Sequence, residues 1–273
     1  MKKLTPAQIR RFRKTILDHY RREGRHDLPW RQTGDPYHTL VSEFMLQQTQ
    51  VPRVIAKYTG FVERFPDFEA LAAAPLAAVL RAWSGLGYNR RAQYLKRTAE
   101  IVVERYGGEL PDEVAALESL PGIGPATARA VAAFAFGRAH PFIETNIRSV
   151  YLHYFFENEE RVPDSALMPL VEQTLPRRNA REWYNALMDY GVMLKARHRN
   201  PSRRSAHHAP QSRFEGSNRQ VRGAVIRALA AGAMTERELK KLTGFTLARL
   251  RAALKQLERE GMVAEARGRY SLA

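Results

Sequence analysis

The sequence predicts a mainly α-helical protein, and three observations support that prediction. Apolar residues recur at helical spacing among charged residues along most of the chain. Glycines and prolines that end or open helices stand between these stretches. Residues 1–200 also lack the strict alternation of apolar and polar residues that marks half-buried strands. The chain has 273 residues, which is enough for one large domain or two modest ones.

In chain order, the apolar spacing predicts a succession of helices. The first covers 7–23 and ends at Gly24. The second begins at His38, runs into 45–51 and carries a single carboxylate, Glu43, and a third opens at Pro52. Further helices are expected over 68–74, 76–83, 91–106, 112–118, 125–136, 147–156, 164–175 and 180–195.

The charge of the chain indicates its class of partner. The formal net charge is +16 and the isoelectric point is about 10.4, so we expect a polyanion, nucleic acid before an acidic membrane. No apolar run is long enough to span a bilayer, and no apolar signal core follows the basic N-terminus. We therefore expect a cytoplasmic protein, located at the nucleoid.

The composition also excludes several kinds of chemistry. The chain has no cysteine. Disulfides, thiol catalysis and any zinc or iron–sulfur site with cysteine ligands are therefore excluded.

The stretch 120–148 contains the candidate functional elements. Gly122 and Gly124 follow a proline and open a helix, and the free N–H groups at a helix start bind anions. In a protein this basic, a DNA phosphate is the expected anion. A single carboxylate, Glu144, follows that helix, close to Asn146. The motif LPGIG alone is equally compatible with an ordinary helical hairpin.

From Lys195 onward the chain changes in character. Residues 195–208 are basic and polar, and both a solvated linker and a phosphate-contacting segment fit them, the net charge favouring the second. Residues 213–273 are expected to be a separate domain after a boundary at 212. Three helices and two short strands about Gly268 resemble a winged helix, a fold that binds DNA in many proteins and mediates protein contacts in others.

Five motifs together resemble a known family. They are LPWR at 28–31, VSEFMLQQTQV at 41–51, GLGY at 85–88, LPGIG at 120–124 and MDYG at 188–191. They closely resemble the MutY-type adenine DNA glycosylases of the helix–hairpin–helix (HhH-GPD) superfamily, which also contains endonuclease III. The resemblance covers residues 8–195, and the block around Glu43 is its most specific part.

The resemblance implies a fold and a reaction. It implies a two-lobed helical body that flips a target base out of duplex DNA into a cleft between the lobes. Glu43 matches the general acid that protonates the leaving purine, and Glu144 matches the carboxylate that stabilises the positively charged sugar. We therefore expect a monomeric DNA N-glycosylase that acts in base excision repair on double-stranded DNA with a lesion or mismatch.

The resemblance also implies DNA contacts. Gln48 and Tyr88 match positions that intercalate in, or contact, the opened duplex, and Arg90 and Arg91 follow in the same turn. The hairpin and its helix supply the other expected contacts: Gly122, Ile123, Gly124 and Thr127. No cofactor or metal is expected, apart from a monovalent cation held by hairpin carbonyls 120–125.

The chain departs from the family at several positions. Glu144 stands where the family has Asp. Ala126 stands where the family has serine or, in endonuclease III, the lyase lysine, so β-elimination through a Schiff base is not expected. Asn89 replaces a second tyrosine, and Lys195 stands where the first cysteine of the iron–sulfur cluster would be. We expect the winged-helix-like segment 213–273 to stand in place of the domain that reads 8-oxoguanine in MutY.

These departures leave three hypotheses open. The first is a monofunctional glycosylase of adenine type. The second keeps the chemistry and changes the base, to a mismatched thymine, a uracil or another damaged base. The third, from a different class, is a non-catalytic DNA-binding protein on a glycosylase fold.

Overall fold

The structure, a computed structural model, describes residues 2–198, 200–210 and 213–273. In these ranges the chain forms fourteen α-helices, two 3-10 turns at Pro29–Arg31 and Pro201–Arg204, and one antiparallel pair of strands. The helices are α1 Pro6–Glu23, α2 Pro36–Leu46, α3 Val51–Arg64, α4 Phe68–Ala73, α5 Leu76–Trp83, α6 Arg90–Tyr106, α7 Val114–Glu118, α8 Pro125–Phe136, α9 Thr145–Phe155, α10 Asp164–Thr174, α11 Ala180–Arg197, α12 Asn218–Ala230, α13 Glu236–Thr243 and α14 Leu247–Arg259. The strands are β1 Val263–Ala266 and β2 Arg269–Leu272.

The prediction of a mainly α-helical chain is confirmed, and capping residues explain where helices begin. The Thr5 hydroxyl accepts the Gln8 N–H at 3.2 Å, and the Gln8 side chain accepts the Thr5 N–H at 2.8 Å. The same exchange between Thr235 and Glu238 opens α13, as the sequence predicts. α6 ends at Gly107, whose φ of 62° is left-handed. Over the described residues, no helix is both long enough and apolar enough to cross a bilayer.

Two compact units divide the chain. Unit 1 contains the described residues of Met1–Thr39, Asp112–Ser119 and Ile123–Pro210. In its core α11 packs against α9 and α1, and the Phe12 ring contacts the rings of Tyr151 and Trp183. The Ala-rich helix α8 also packs on α11, because small side chains let the two helix backbones approach.

A buried ion pair in unit 1 connects the motifs LPWR and MDYG. Arg31 donates to both oxygens of Asp189 at 2.7 and 3.0 Å, and the Arg25 Nε donates to the same carboxylate at 2.7 Å. Burial alone raises the pKa of Asp189, but Arg31 and Arg25 outweigh it and hold that pKa below its usual value. The 3-10 turn at Pro29–Arg31 is thereby fixed to α11.

Unit 2 contains the described residues of Leu40–Pro111, Leu120–Gly122 and Gln211–Ala273. In it α4 and α5 pack on α6, and α12 packs on α13, α14 and α5. The C-terminal segment therefore belongs to the same compact unit as 40–111. That 213–273 is a winged-helix domain in its own right stays a prediction, and the last residue before its expected boundary, Ser212, lies outside the described residues.

Glu260 holds the C-terminal segment against α6. Its carboxylate accepts hydrogen bonds from Arg90 at 2.6 Å and from Arg222 at 2.5 Å, and its carbonyl accepts one from Gln93 at 2.5 Å. A neighbouring contact runs from the Arg81 guanidinium to the Ala230 carbonyl at 3.2 Å. These contacts give Arg90 a partner within the protein.

Arg91 is the buried polar centre of unit 2. Its guanidinium donates over 2.6–3.3 Å to six acceptors: the carbonyls of Phe44, Met45, Gln47, Leu86 and Gly87, and the hydroxyl of Thr49. Burial lowers the pKa of Arg91 to about 10, so the side chain stays charged at neutral pH. This geometry speaks against the DNA contact expected of Arg91, because its Nη donors hold the end of α2 to the turn before α6.

We predict that Arg91→Lys lowers the free energy of unfolding by about 2–4 kcal/mol, because a single ammonium group cannot replace two Nη atoms that each donate to a different set of acceptors. Arg97→Lys on the same helix is the control, since Arg97 is exposed and its exchange should change stability by less than about 0.5 kcal/mol. Urea unfolding measures both variants. Equal losses would show that Arg91 has no special structural role.

Candidate active site

Glu43 lies in the second half of α2, one residue before a buried anchor. Asp35 accepts the Tyr37 N–H at 2.7 Å and so caps the start of this helix. The Phe44 side chain is fully buried, whereas Glu43 is partly exposed. Glu43 therefore keeps part of its surface accessible on a helix whose neighbouring residues are buried.

The first half of the hairpin packs against α2 and α6. Gly122 has φ +77°, and a Cβ there would lie 2.9 Å from Tyr94 and 3.0 Å from Phe44. Its carbonyl accepts a long 3.5 Å hydrogen bond from Gln47, and the preceding carbonyl accepts one from Thr98 at 3.1 Å. Both the conformation and the close approach require glycine at 122.

The second half of the hairpin begins α8. Gly124 is the N-cap and is exposed, and a Cβ there would meet nothing within 4 Å. The protein itself therefore does not require glycine at 124. Ile123 is buried, so any DNA contact it makes is through its main chain. Thr127 lies partly exposed in the first turn of α8, one residue after the exposed Ala126.

Glu144 is the N-cap of α9. One carboxylate oxygen accepts the backbone N–H groups of Asn146 at 2.5 Å and Ile147 at 2.9 Å, and the other accepts the Asn146 side-chain amide at 3.3 Å. A glutamate can therefore occupy this position and still bind the helix N-terminus. Burial raises the pKa of Glu144 above its ordinary value, while the Ile147 amide, Lys195 and Asn146 act in the opposite direction.

One face of α11 closes around Asn146. Lys195 Nζ donates to Asn146 Oδ1 at 2.6 Å, and Met188 Sδ lies 3.8 Å from the amide nitrogen. Between them, Gly191 is so close that a Cβ would lie 2.5 Å from the Asn146 carbonyl. The spacing of Met188, Gly191 and Lys195 by three and four residues puts them on this one face. Sequence reasoning missed this arrangement, although the spacing was visible.

Gln48 and Tyr88, both expected to contact DNA, have unusual backbone conformations. Their φ angles are 54° and 47°, in the left-handed region that side chains other than glycine rarely adopt. Gln48 is exposed, and Tyr88 contacts the Arg219 guanidinium 5.1 Å from its ring centre. Backbone strain of this kind is frequent at functional sites, so it favours a functional role for both residues. The structure brings them into unit 2 together with Glu43, Arg90 and Arg91.

The chain matches known proteins over most of its length. Residues 41–175 match the family described as HhH-GPD superfamily base excision DNA repair protein. An adenine DNA glycosylase from Mycolicibacterium smegmatis is 35% identical over 270 residues, which cover 92% of each chain. The chain belongs to the HhH-GPD superfamily of base excision DNA repair proteins. The resemblance stated from the five motifs is thus confirmed.

Other HhH-GPD proteins match about two thirds of this chain. An adenine DNA glycosylase from Buchnera aphidicola subsp. Baizongia pistaciae is 38% identical over 184 residues, and the chain spans only 52% of that relative. A solved structure described as a thermostable thymine-DNA glycosylase superposes with a TM-score of 0.61 at 32% identity, covering 68% of this chain and 86% of that one. The HhH-GPD fold predicted from sequence is therefore confirmed.

We predict that Gly191→Ala destabilises the protein by about 1–3 kcal/mol, because the new methyl group collides with the backbone of Asn146. The matched control is Gly60→Ala, a glycine inside α3 with nothing within 4 Å of its missing Cβ. That change should stabilise by about 0.5–1 kcal/mol. Thermal unfolding of both variants checks the contrast, and a neutral Gly191→Ala would contradict the close packing of α11 on α9.

Proposed function

We propose that this protein is a monofunctional DNA glycosylase of adenine type, which hydrolyses the N-glycosidic bond of a base in duplex DNA. The similarity over 92% of both chains to the mycobacterial adenine DNA glycosylase is the observation that carries the proposal. The strong positive charge of the chain supports a polyanionic partner. Glu144 supplies the second support, because it is a carboxylate stabilised on a helix N-terminus at the family position.

In the proposed reaction, the bond between the sugar C1′ and the base nitrogen breaks and its electron pair leaves with the base. Glu43 donates a proton to the departing base, which would otherwise leave as an anion. The ionised Glu144 stabilises the positive charge that forms on the sugar. Water then adds to C1′ and its proton returns to Glu43, so the starting ionisation of the pair is restored. The products are free base and an abasic site.

DNA binding is proposed to involve both halves of the hairpin. The exposed Gly124 and the first N–H groups of α8 form the phosphate site, with Thr127 beside it. Hairpin carbonyls 120–125 are proposed to hold a monovalent cation. Thr98 occupies one lone pair of the Pro121 carbonyl and Gln47 one lone pair of the Gly122 carbonyl, and each oxygen has a second lone pair that fits a cation.

The C-terminal segment is proposed to provide an additional DNA-binding surface. Lys255 and Arg259 are exposed on α14, while Arg251 on the same helix pairs with Glu236 at 2.9 Å. An alignment over 92% of the chain must include part of 213–273, so at least that part has a counterpart in the mycobacterial relative. Basic groups on a helix of this kind typically contact phosphates.

A panel of duplex oligonucleotides tests the proposed function. Each duplex carries one target pair, namely adenine opposite 8-oxoguanine or guanine, or thymine or uracil opposite guanine. Free base and abasic product are measured under single turnover. Adenine release supports the proposal. Release of thymine or uracil instead would favour the activity named for the structural neighbour, and no release from any duplex, with tight binding, would indicate a non-catalytic DNA-binding protein.

We predict that Glu43→Gln retains duplex binding and slows base release by about 10²–10⁴-fold, because the amide cannot donate the proton that the leaving base needs. Glu63→Gln, an exposed position in α3, is the matched control and should leave the rate unchanged. Single-turnover rates and gel-shift affinities separate chemistry from binding. A fully active Glu43→Gln variant would remove Glu43 from the mechanism.

We predict abasic product without strand cleavage, since Ala126 offers no amine at the position of the lyase lysine. The reaction is run once with and once without alkali before electrophoresis, and breaks should appear only after alkali. Borohydride should trap no adduct in high yield. Breaks without alkali, together with a trapped adduct, would contradict the prediction.

A further inference from the structure

We propose that Lys195 is a positioning residue for the Asn146–Glu144 pair, taking over in this chain a place that cluster-bearing relatives use for a cysteine. The inference rests on the proposed function for its catalytic consequence, and on unit 1 alone for its geometry.

The first step concerns the direction of the Asn146 amide. Lys195 Nζ has only hydrogen atoms to offer, so the amide atom 2.6 Å away must be the acceptor oxygen. The amide nitrogen then points at Glu144, where it donates to Oε2 at 3.3 Å. The lysine therefore selects the one orientation of the amide in which both neighbours are satisfied.

The second step concerns why the lysine reaches this place. It lies one helical turn after Gly191, and the missing side chain of Gly191 lets α11 approach the first turn of α9. The Lys195 side chain is partly buried along this contact. The side chain is therefore partly shielded from solvent, and its ammonium group lies at the N-terminal end of α9, where it binds Asn146.

The third step concerns charge. Among the described residues, two cationic groups face Glu144: Lys195 from α11 and Arg148 from its own helix. Arg148 is already committed to Asp164 of α10 by hydrogen bonds of 2.8 and 2.6 Å. Lys195, which interacts electrostatically with Glu144, is thus the cation that offsets the desolvation of Glu144. Its loss should make Glu144 harder to ionise.

The test compares Lys195→Met, which keeps the length of the side chain, with Lys195→Arg, which keeps the charge. Arg197→Met is the control, since it removes one charge from the same helix at a side chain that is 63% exposed. Single-turnover excision is followed against pH. For Lys195→Met we expect a rate about tenfold lower at neutral pH, the scale of a modest displacement at a reacting centre, with the acid limb moved to higher pH.

Lys195→Arg should return the acid limb towards the wild-type position, and Arg197→Met should not move it. A uniform loss of rate at all pH values, with an unmoved acid limb, would mean that Lys195 only fills space and would overturn the proposal. A borohydride-trapped adduct that disappears in Lys195→Met would make Lys195 a nucleophile and would overturn it as well.

A second readout does not depend on catalysis. Loss of the lysine raises the pKa of folded Glu144 further above its unfolded value, so stability is retained at low pH and lost as pH rises through that folded pKa. At neutral pH, Glu144→Gln should therefore raise the melting temperature more in the Lys195→Met background than in the wild type. Equal changes in melting temperature in the two backgrounds would show that Lys195 and Glu144 are not coupled and would overturn the proposal. If the wild type releases no base at all, the proposed function fails, while this double-mutant cycle still decides the Lys195 proposal.

Discussion

The Glu144 carboxylate accepts two backbone N–H groups at the start of α9 while lying in surroundings that penalise its charge. The balance between these hydrogen bonds and the cost of desolvating the carboxylate is the constraint on which the rest of unit 1 depends. A desolvated anion is tolerated only where donors and a cation offset its desolvation. The helix N-terminus supplies the donors and Lys195 supplies the cation. An anion held in this way is the group that the proposed reaction needs beside a positively charged sugar, since fixed donors need no rearrangement when the charge forms.

Other contacts hold the elements that carry the two candidate catalytic carboxylates. Gly191 allows α11 to reach Asn146, and the Asp189 ion pair with Arg31 fixes the turn before α2 to α11. In unit 2 the Arg91 guanidinium has the corresponding role, because it holds the carbonyls at the end of α2, one turn from Glu43. Each unit therefore uses a buried charged group, satisfied by several partners, to position a short stretch that carries a candidate catalytic carboxylate.

Much of this could be predicted from sequence because the signals are local. Helical spacing, the capping box at Thr235 and the glycine hairpin specify their own conformations, and the motifs around Glu43 identified the family. What the sequence could not predict were contacts between distant segments. Arg91 follows a loop motif and was expected at DNA, yet four of its six acceptors lie more than forty residues away in the chain. The sequence indicated only that Lys195 stands where the family has a cysteine. It could not predict the contact with Asn146, because only the packing of α11 on α9 brings the two residues together.

Direct observation of the Glu144 carboxyl group tests the central claim most closely. A ¹³C NMR titration of protein labelled at the glutamate carboxyl carbon, with Glu144→Gln to assign the signal, measures its ionisation. The account predicts that this carboxyl titrates at higher pH than exposed glutamates and is nevertheless ionised at the pH at which excision proceeds. A carboxyl that is still protonated at that pH, or one that titrates like an exposed glutamate, would contradict the account.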